Sequence, residues 1–153
     1  MATTSTTSPY TNPFQAESVY IFSFDPSANS SQRTADTTHT IGYLPANFVI
    51  TQAWIHVLTT FVSTDGVTPA TDACTIALGY TGAADAFDAA IAISNGGNPW
   101  DAAAPRVSDG AADGAVGNFI TAAAGDAVLA TTAASEALTA GKLLLVIKGY
   151  TTT

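Results

Sequence analysis

Two histidines, one cysteine and twelve acidic residues are the groups in this chain from which a reactive site could be built. His39 and His56 each sit in a strand-like run among Thr or apolar residues, where a histidine is ordinarily hydrogen-bonded or exposed rather than catalytic. Cys74, in DACTIALGY, is the sole cysteine, so no intrachain disulfide can form. Such a cysteine is typically a small buried hydrophobe, the alternative being a reactive or interchain thiol. One Cys and two distant His cannot assemble a zinc site of the usual composition unless carboxylates supply most ligands. The acidic loops are better placed for a hard cation. Asp85 and Asp88 lie in GAADAFDAA, and Asp109 and Asp113 in SDGAADGAVGN. Neither has the alternating spacing and final Glu of an EF-hand loop, and Asp before Gly is ordinary turn chemistry. Glycoside hydrolysis needs a pair of carboxyls across a cleft, and nothing marks a pair such as Asp101 and Glu136 for it. No G-x-S-x-G elbow, H-E-x-x-H pair or P-loop occurs. The expectation is a non-enzymatic protein without a cofactor or a metal site.

Recognition by large side chains is the chemistry the sequence does favour. In AWIHVLTTFV, from Ala53 to Val62, Trp54, His56 and Leu58 alternate with Ile55, Val57 and Phe61. A strand with one wet face alternates apolar with polar residues, so this strand has something apolar on each side. The set without a polar member, Ile55, Val57 and Phe61, is expected in the core. The Trp54, His56 and Leu58 face then needs a second cover, either another subunit or a long loop of the same chain. Trp100, in the loop GGNPWDAAAP, is costly to leave bare. It has three readings: plugging its own core, covering a neighbour, or stacking on a sugar. Tyr10 and Phe14 stand beside Pro9 and Pro13 in MATTSTTSPYTNPF. They make residues 1–18 either a solvated tail or an extended arm that docks on a neighbouring subunit, since solvated tails carry few aromatics. Tyr10, Phe14, Trp54, His56, Leu58 and Trp100 are thus the candidate interface residues.

The elements that must position these groups are mostly strands. β-branched and aromatic runs predict strands over Val19 to Phe24, Thr37 to Leu44, Phe48 to Val62, Ala73 to Tyr80, Ala127 to Ala133 and Lys142 to Tyr150. Pro45 to Asn47 form a turn, because Pro inside a central strand would remove a ladder donor. A further bend is expected near Thr51. DPSANSSQRTAD reads as a polar loop, and SEALTAG separates the last two strands. Ala83 to Ile91 turns Ala-rich with Asp at its start, which predicts a two-turn helix. Asn95 to Gly125 is dense in Gly, Asn, Asp and Pro, and reads as long loops with short pieces such as Phe119 to Ala122. Short strands separated by turn signals predict an all-β chain, an antiparallel β-sandwich of jelly-roll type with at most one short helix. The chain divides into an arm, 1–18, and a single sandwich domain, 19–153.

Composition limits the partners. Charged residues are 10% of the chain, against about 25% in ordinary domains, and Ala with Thr supplies roughly a third. A net charge of −8 and no cluster of Lys or Arg argue against nucleic acid and against an anionic membrane surface. No run approaches the length of a membrane span, and the N-terminus has no basic and apolar signal pattern. With so little charge to keep strand edges apart, either the strands are short and covered or neighbouring subunits occupy much of the surface.

Three segments together resemble a known group. The pattern I-G-x-L-P-A-N, an apolar strand, T-x-F-x-S and T-I-A-L-G-Y-T-G-A-A-D-A-F, carried by Ile41 to Asn47, Phe48 to Phe61 and Thr75 to Phe87, resembles head-associated and tail structural proteins of double-stranded DNA bacteriophages. The resemblance covers about the middle third of the chain. It implies a β-sandwich subunit of the capsid decoration or cement type, without catalytic residues, made in the host cytoplasm and carried on the outer capsid surface. Its implied partners are the major capsid protein and sister subunits, in a homotrimer. The alternative is a tail-fibre or receptor-binding module whose loop aromatics, Trp100 among them, contact host glycans. The insertion from Asn95 to Gly125 is not part of the pattern.

Overall fold

A computed structural model describes residues 17–63, 74–93, 99–103, 105–107, 119–120, 125–133 and 136–152. The chain forms strands β1 (Ser18–Phe24), β2 (Thr37–Leu44), β3 (Phe48–Ser63), β4 (Thr75–Tyr80), β5 (Ala83–Ala92), β6 (Arg106–Val107), β7 (Phe119–Ile120), β8 (Asp126–Ala133) and β9 (Leu138–Thr151). One antiparallel sheet, sheet A, has the order β1-β9-β3-β6, with β7 also on β3, and the other, sheet B, has the order β2-β8-β4-β5. The first strand thus pairs with the last and the second with the last but one, which is the winding of a jelly roll. The expected all-β sandwich is the observed fold. Among the described residues the only helical element is a 3-10 turn, Ser30–Arg33, within the loop after β1.

Both sheets bury one face against the other. Sheet A contributes Phe22, Phe24, Phe48, Ile50, Ile55, Val57, Phe61, Leu143, Leu145 and Ile147, and sheet B contributes Leu44, Ile76, Leu78, Phe87, Val128 and Ala130. β3 can keep Phe48 and Ile50 inside together with Ala53, Ile55 and Val57 only by changing parity between the two groups. The β3–β9 register slips between Ile50 and Gln52, so Thr51 is the extra residue, and its hydroxyl donates to the Lys148 carbonyl at 3.1 Å. The bend expected near Thr51 is this bulge. Asn47, at φ +51, closes the β2–β3 turn that Pro45 begins.

Two elements differ from expectation. Ala83 to Ile91 is not a helix but β5, paired with β4. Its Ala content favours a helix, yet Tyr80 opposes Ala83 across the two-residue turn Thr81–Gly82, with Gly82 at φ +94. That turn is hairpin chemistry, and it delivers the chain straight onto the edge of β4. With two register shifts in the pair, the three consecutive residues Ala86, Phe87 and Asp88 are all buried, so the strand lacks the strict alternation that would have marked it. The second difference is β9, which starts at Leu138, so part of SEALTAG is strand rather than connection.

Candidate functional site: the outer face of sheet A

The outer face of sheet A carries a row of apolar side chains in register across four of its strands, β1, β9, β3 and β6. Ile21 on β1 opposes Val146 on β9, Val146 opposes Trp54 on β3, and Trp54 opposes Val107 on β6. At the usual strand spacing the row spans about 14 Å. Ile21 is 63% exposed and Val107 56%, while Val146 and Trp54 are half-buried by their neighbours. Val19 and Leu144 extend the patch along the strands. Leu58, at a register slip between Val57 and Thr59, adds a further exposed side chain, and His56 lies opposite Leu144. Monomer surfaces rarely hold so continuous an apolar face unless something covers it.

Of the two sets on β3, Ile55, Val57 and Phe61 are buried, and the Trp54, His56 and Leu58 face points away from the core. The outer face of sheet B is different in kind. There Thr38, Thr131 and Ala77 form one row and Thr40, Leu129 and Gly79 another, with the Thr38 and Thr131 hydroxyls 3.2 Å apart. Apart from Leu129 and the exposed Tyr43 these residues are small or hydroxylated and bury little apolar area on contact, so sheet A, with its contiguous apolar row, is the stronger candidate for a docking surface.

Charge frames the apolar row. Both lysines of the chain, Lys142 and Lys148, project from β9 on this face. Lys148 pairs with Glu17 at 2.6 Å, and Lys142 with Asp25 at 2.8 Å. The Lys142 ammonium holds the Asp25 carboxyl below the usual carboxylate range, with the Ala28 amide assisting. This face is therefore nearly neutral on a chain of net charge −8.

Trp100 is not on any surface. It is fully buried, which corrects its place among the interface candidates: it plugs its own core. Its indole N–H donates to the Ile91 carbonyl on β5 at 2.9 Å, and its own carbonyl accepts from the Phe61 amide on β3 at 3.1 Å. The ring meets Phe61 edge-on at 6.2 Å, and the Arg106 guanidinium lies 5.3 Å from its centroid. The segment 99–103 runs beside β3, with the Ala102 amide on the Thr60 hydroxyl and the Ala103 amide on the Val57 carbonyl. It closes the side of the sandwich where β3 and β5 leave a gap.

Asp88 is not a solvated loop acid. Fully buried on β5, it receives both terminal nitrogens of Arg106 from β6, so the pair ties the edge of sheet B to the edge of sheet A. Sequence reading missed this pair because Arg106 lies in a stretch read as loop. The available signal was an arginine as the only cation in a long insertion beside acids. Asp101 lies in the exposed turn after Trp100, while Glu136 accepts a hydrogen bond from the buried Ser63 hydroxyl. Among the described residues no three His, Cys, Asp or Glu side chains gather as a metal site would require, and Cys74 is buried. Tyr10, Phe14, Asp109 and Asp113 lie outside the described residues.

His39 faces the core from β2, its ring 5.6 Å from that of Phe24 and its Nε2 without a hydrogen-bond partner among the described residues. Burial pushes this imidazole below its ordinary value, against a smaller opposing effect of the hydrogen bond the ring donates to the Thr34 backbone. The unfolded chain then takes up the proton more readily than the folded one. Stability should fall as pH drops below about 6.5, where the free imidazole titrates. Asp25 acts at lower pH, its contribution being present above about 4 and lost as its carboxylate protonates. Melting temperatures recorded from pH 7.5 to 3 should show a first decline beginning near 6.5, and His39→Phe should remove that decline alone.

No protein-family model matches the sequence, and no curated protein matches it at a significant level. Solved structures do share the fold. A chain of the cyanophage Pam1 capsid asymmetric unit superposes with a TM-score of 0.59 at 16% identity, over 89% of this chain and 85% of that one. A chain of the acidic stable capsid of Helicobacter pylori bacteriophage KHP30 superposes with a TM-score of 0.51 at 12% identity, over 86% of each. At such identities the likeness is one of fold.

Proposed function

We propose that this protein is a non-enzymatic structural subunit of a bacteriophage virion, a decoration or cement protein that stabilises the head shell by contacts with the major capsid protein and with sister subunits. The observation that carries the reading is the apolar row Ile21, Val146, Trp54 and Val107, which no described residue covers, on a chain poor in charge. A shell component is soluble until it assembles and then buries such a face. The sandwich likeness to chains of two phage capsids supports the same class, and so does the sequence resemblance to head-associated proteins. The first eighteen residues extend the same role as an arm, with Tyr10 and Phe14 docking on a neighbour. Of the loop aromatics that the tail-fibre reading would turn towards a host glycan, Trp100 fills the core instead.

Leu58→Asp tests the role. Leu58 is 42% exposed, so the substitution should move the melting temperature by no more than about 2 °C. Attachment to shells assembled without this protein should weaken at least about tenfold, because a carboxylate would then enter an apolar contact. Undiminished attachment by a folded Leu58→Asp protein would remove sheet A from the interface.

A further inference from the structure

Among the described residues β1 ends sheet A, and an edge strand offers unpaired N–H and C=O groups to any extended chain. Folded proteins guard such edges by shortness, bulges, Pro or charge. Among the described residues the other edges are guarded. β6 has only two residues, β2 is bulged between Thr40 and Gly42, and β5 carries Asp85 and Asp88 and is twice irregular in register. β1, with the sequence SVYIFSF, has none of these devices, and it holds unbroken register with β9 along its whole length. Its outward side chains Val19 and Ile21 are 58% and 63% exposed.

We propose that β1 pairs antiparallel with β1 of a second copy about a two-fold axis through Ile21, joining two copies of sheet A into one continuous sheet. Charge selects a second copy over other extended partners. Copies of a chain with net charge −8 repel one another wherever their acids meet unbalanced. The acids flanking β1, however, are Glu17 and Asp25, equally far on either side of Ile21 and each held by one of the two lysines. The two-fold axis brings the Glu17–Lys148 pair of one copy beside the Asp25–Lys142 pair of the other at both ends of the joined strands. Each end then holds two cations and two anions, an arrangement a strongly basic or acidic partner strand would unbalance. The apolar row from Val107 to Ile21 continues into the second copy, doubling the face available to a shell. The symmetry is two-fold, unlike the homotrimer that the sequence resemblance implies.

The pairing deepens the assembly reading, yet it is measured without a shell, so the two fail separately. Sedimentation of the whole protein over a range of concentrations should show a monomer–dimer equilibrium. Ile21→Lys should raise its dissociation constant roughly a hundredfold by setting two ammoniums against each other, with the melting temperature unchanged. Ile21→Cys should form an intermolecular disulfide under mild oxidation, and Val107→Cys, at the opposite edge, should not. A monomer at every concentration, a trimer indifferent to Ile21→Lys, or no cross-link through position 21 would each overturn the pairing. A dimer sensitive to Ile21→Lys that never attaches to shells would support the pairing and count against the decoration role.

Discussion

Phe61→Ala should lower the unfolding free energy by about 3–5 kcal/mol, as for other fully buried aromatic truncations. The ring has no exposure and sits where three parts of the chain converge. It stacks on Phe24 of β1 at 5.8 Å, meets Trp100 edge-on at 6.2 Å, and lies over Gly141 of β9. A Cβ at Gly141 would stand 2.1 Å from the Phe61 ring, and the backbone there has φ +136, which L side chains rarely adopt. Glycine therefore makes the seat into which this ring fits. Removing the ring leaves a void that Trp100 cannot fill, because its N–H and its carbonyl are both tied to other strands. Urea denaturation should show a lower midpoint at unchanged slope. A loss below about 1 kcal/mol would mean that the core relaxes around the gap and that the three parts are not joined through Phe61.

Arg106→Ala should cost about 3 kcal/mol, the low end for a broken buried ion pair, since Arg106 is 29% exposed at its side chain. The partner carboxylate of Asp88 has no exposure, so the loss comes mainly from leaving that charge without its cation in the interior. The guanidinium also covers one face of Trp100, and that contact is lost as well. Because the damage lies in the stranded charge, Asp88→Leu combined with Arg106→Met should recover most of the stability. Chemical denaturation of the single and double variants makes the comparison. A double variant no more stable than Arg106→Ala would show that the pair holds the sheet edges by geometry rather than by neutralising a buried charge.

The sandwich was legible because its strands are strongly marked. VYIFSF, the run from Phe48 onward and KLLLVIKGY are dense in β-branched and aromatic residues, and Pro45 with Asn47 punctuates the close turn from β2 into β3. The division of β3 into a buried set and an outward set was legible too, since Ile55, Val57 and Phe61 contain no polar member while Trp54, His56 and Leu58 do. β5 was not legible. Its alanines speak for a helix, and the decision lay with Gly82 and the open edge of β4, which gave its backbone groups a ladder to join.

The candidate site divides along the same line. Residue types and alternation along one strand determine that some apolar face is left over, because a chain of this size has one core and β3 carries apolar residues on both sides. They cannot determine what stands beside that face. Val19, Ile21, Leu144, Val146 and Val107 join Trp54 only through the register of four strands drawn from both ends and the middle of the chain. Trp100 and Arg106 follow the same rule with the opposite outcome. In the sequence each is a large or charged residue adrift in a polar insertion, and only the gap between β3 and β5 turns the first into a plug and the second into a clasp for Asp88. Alternation is a local property written into the chain. Adjacency across a sheet and the filling of a gap between sheets are set by contacts between residues far apart in sequence, so they exist only once the fold has formed.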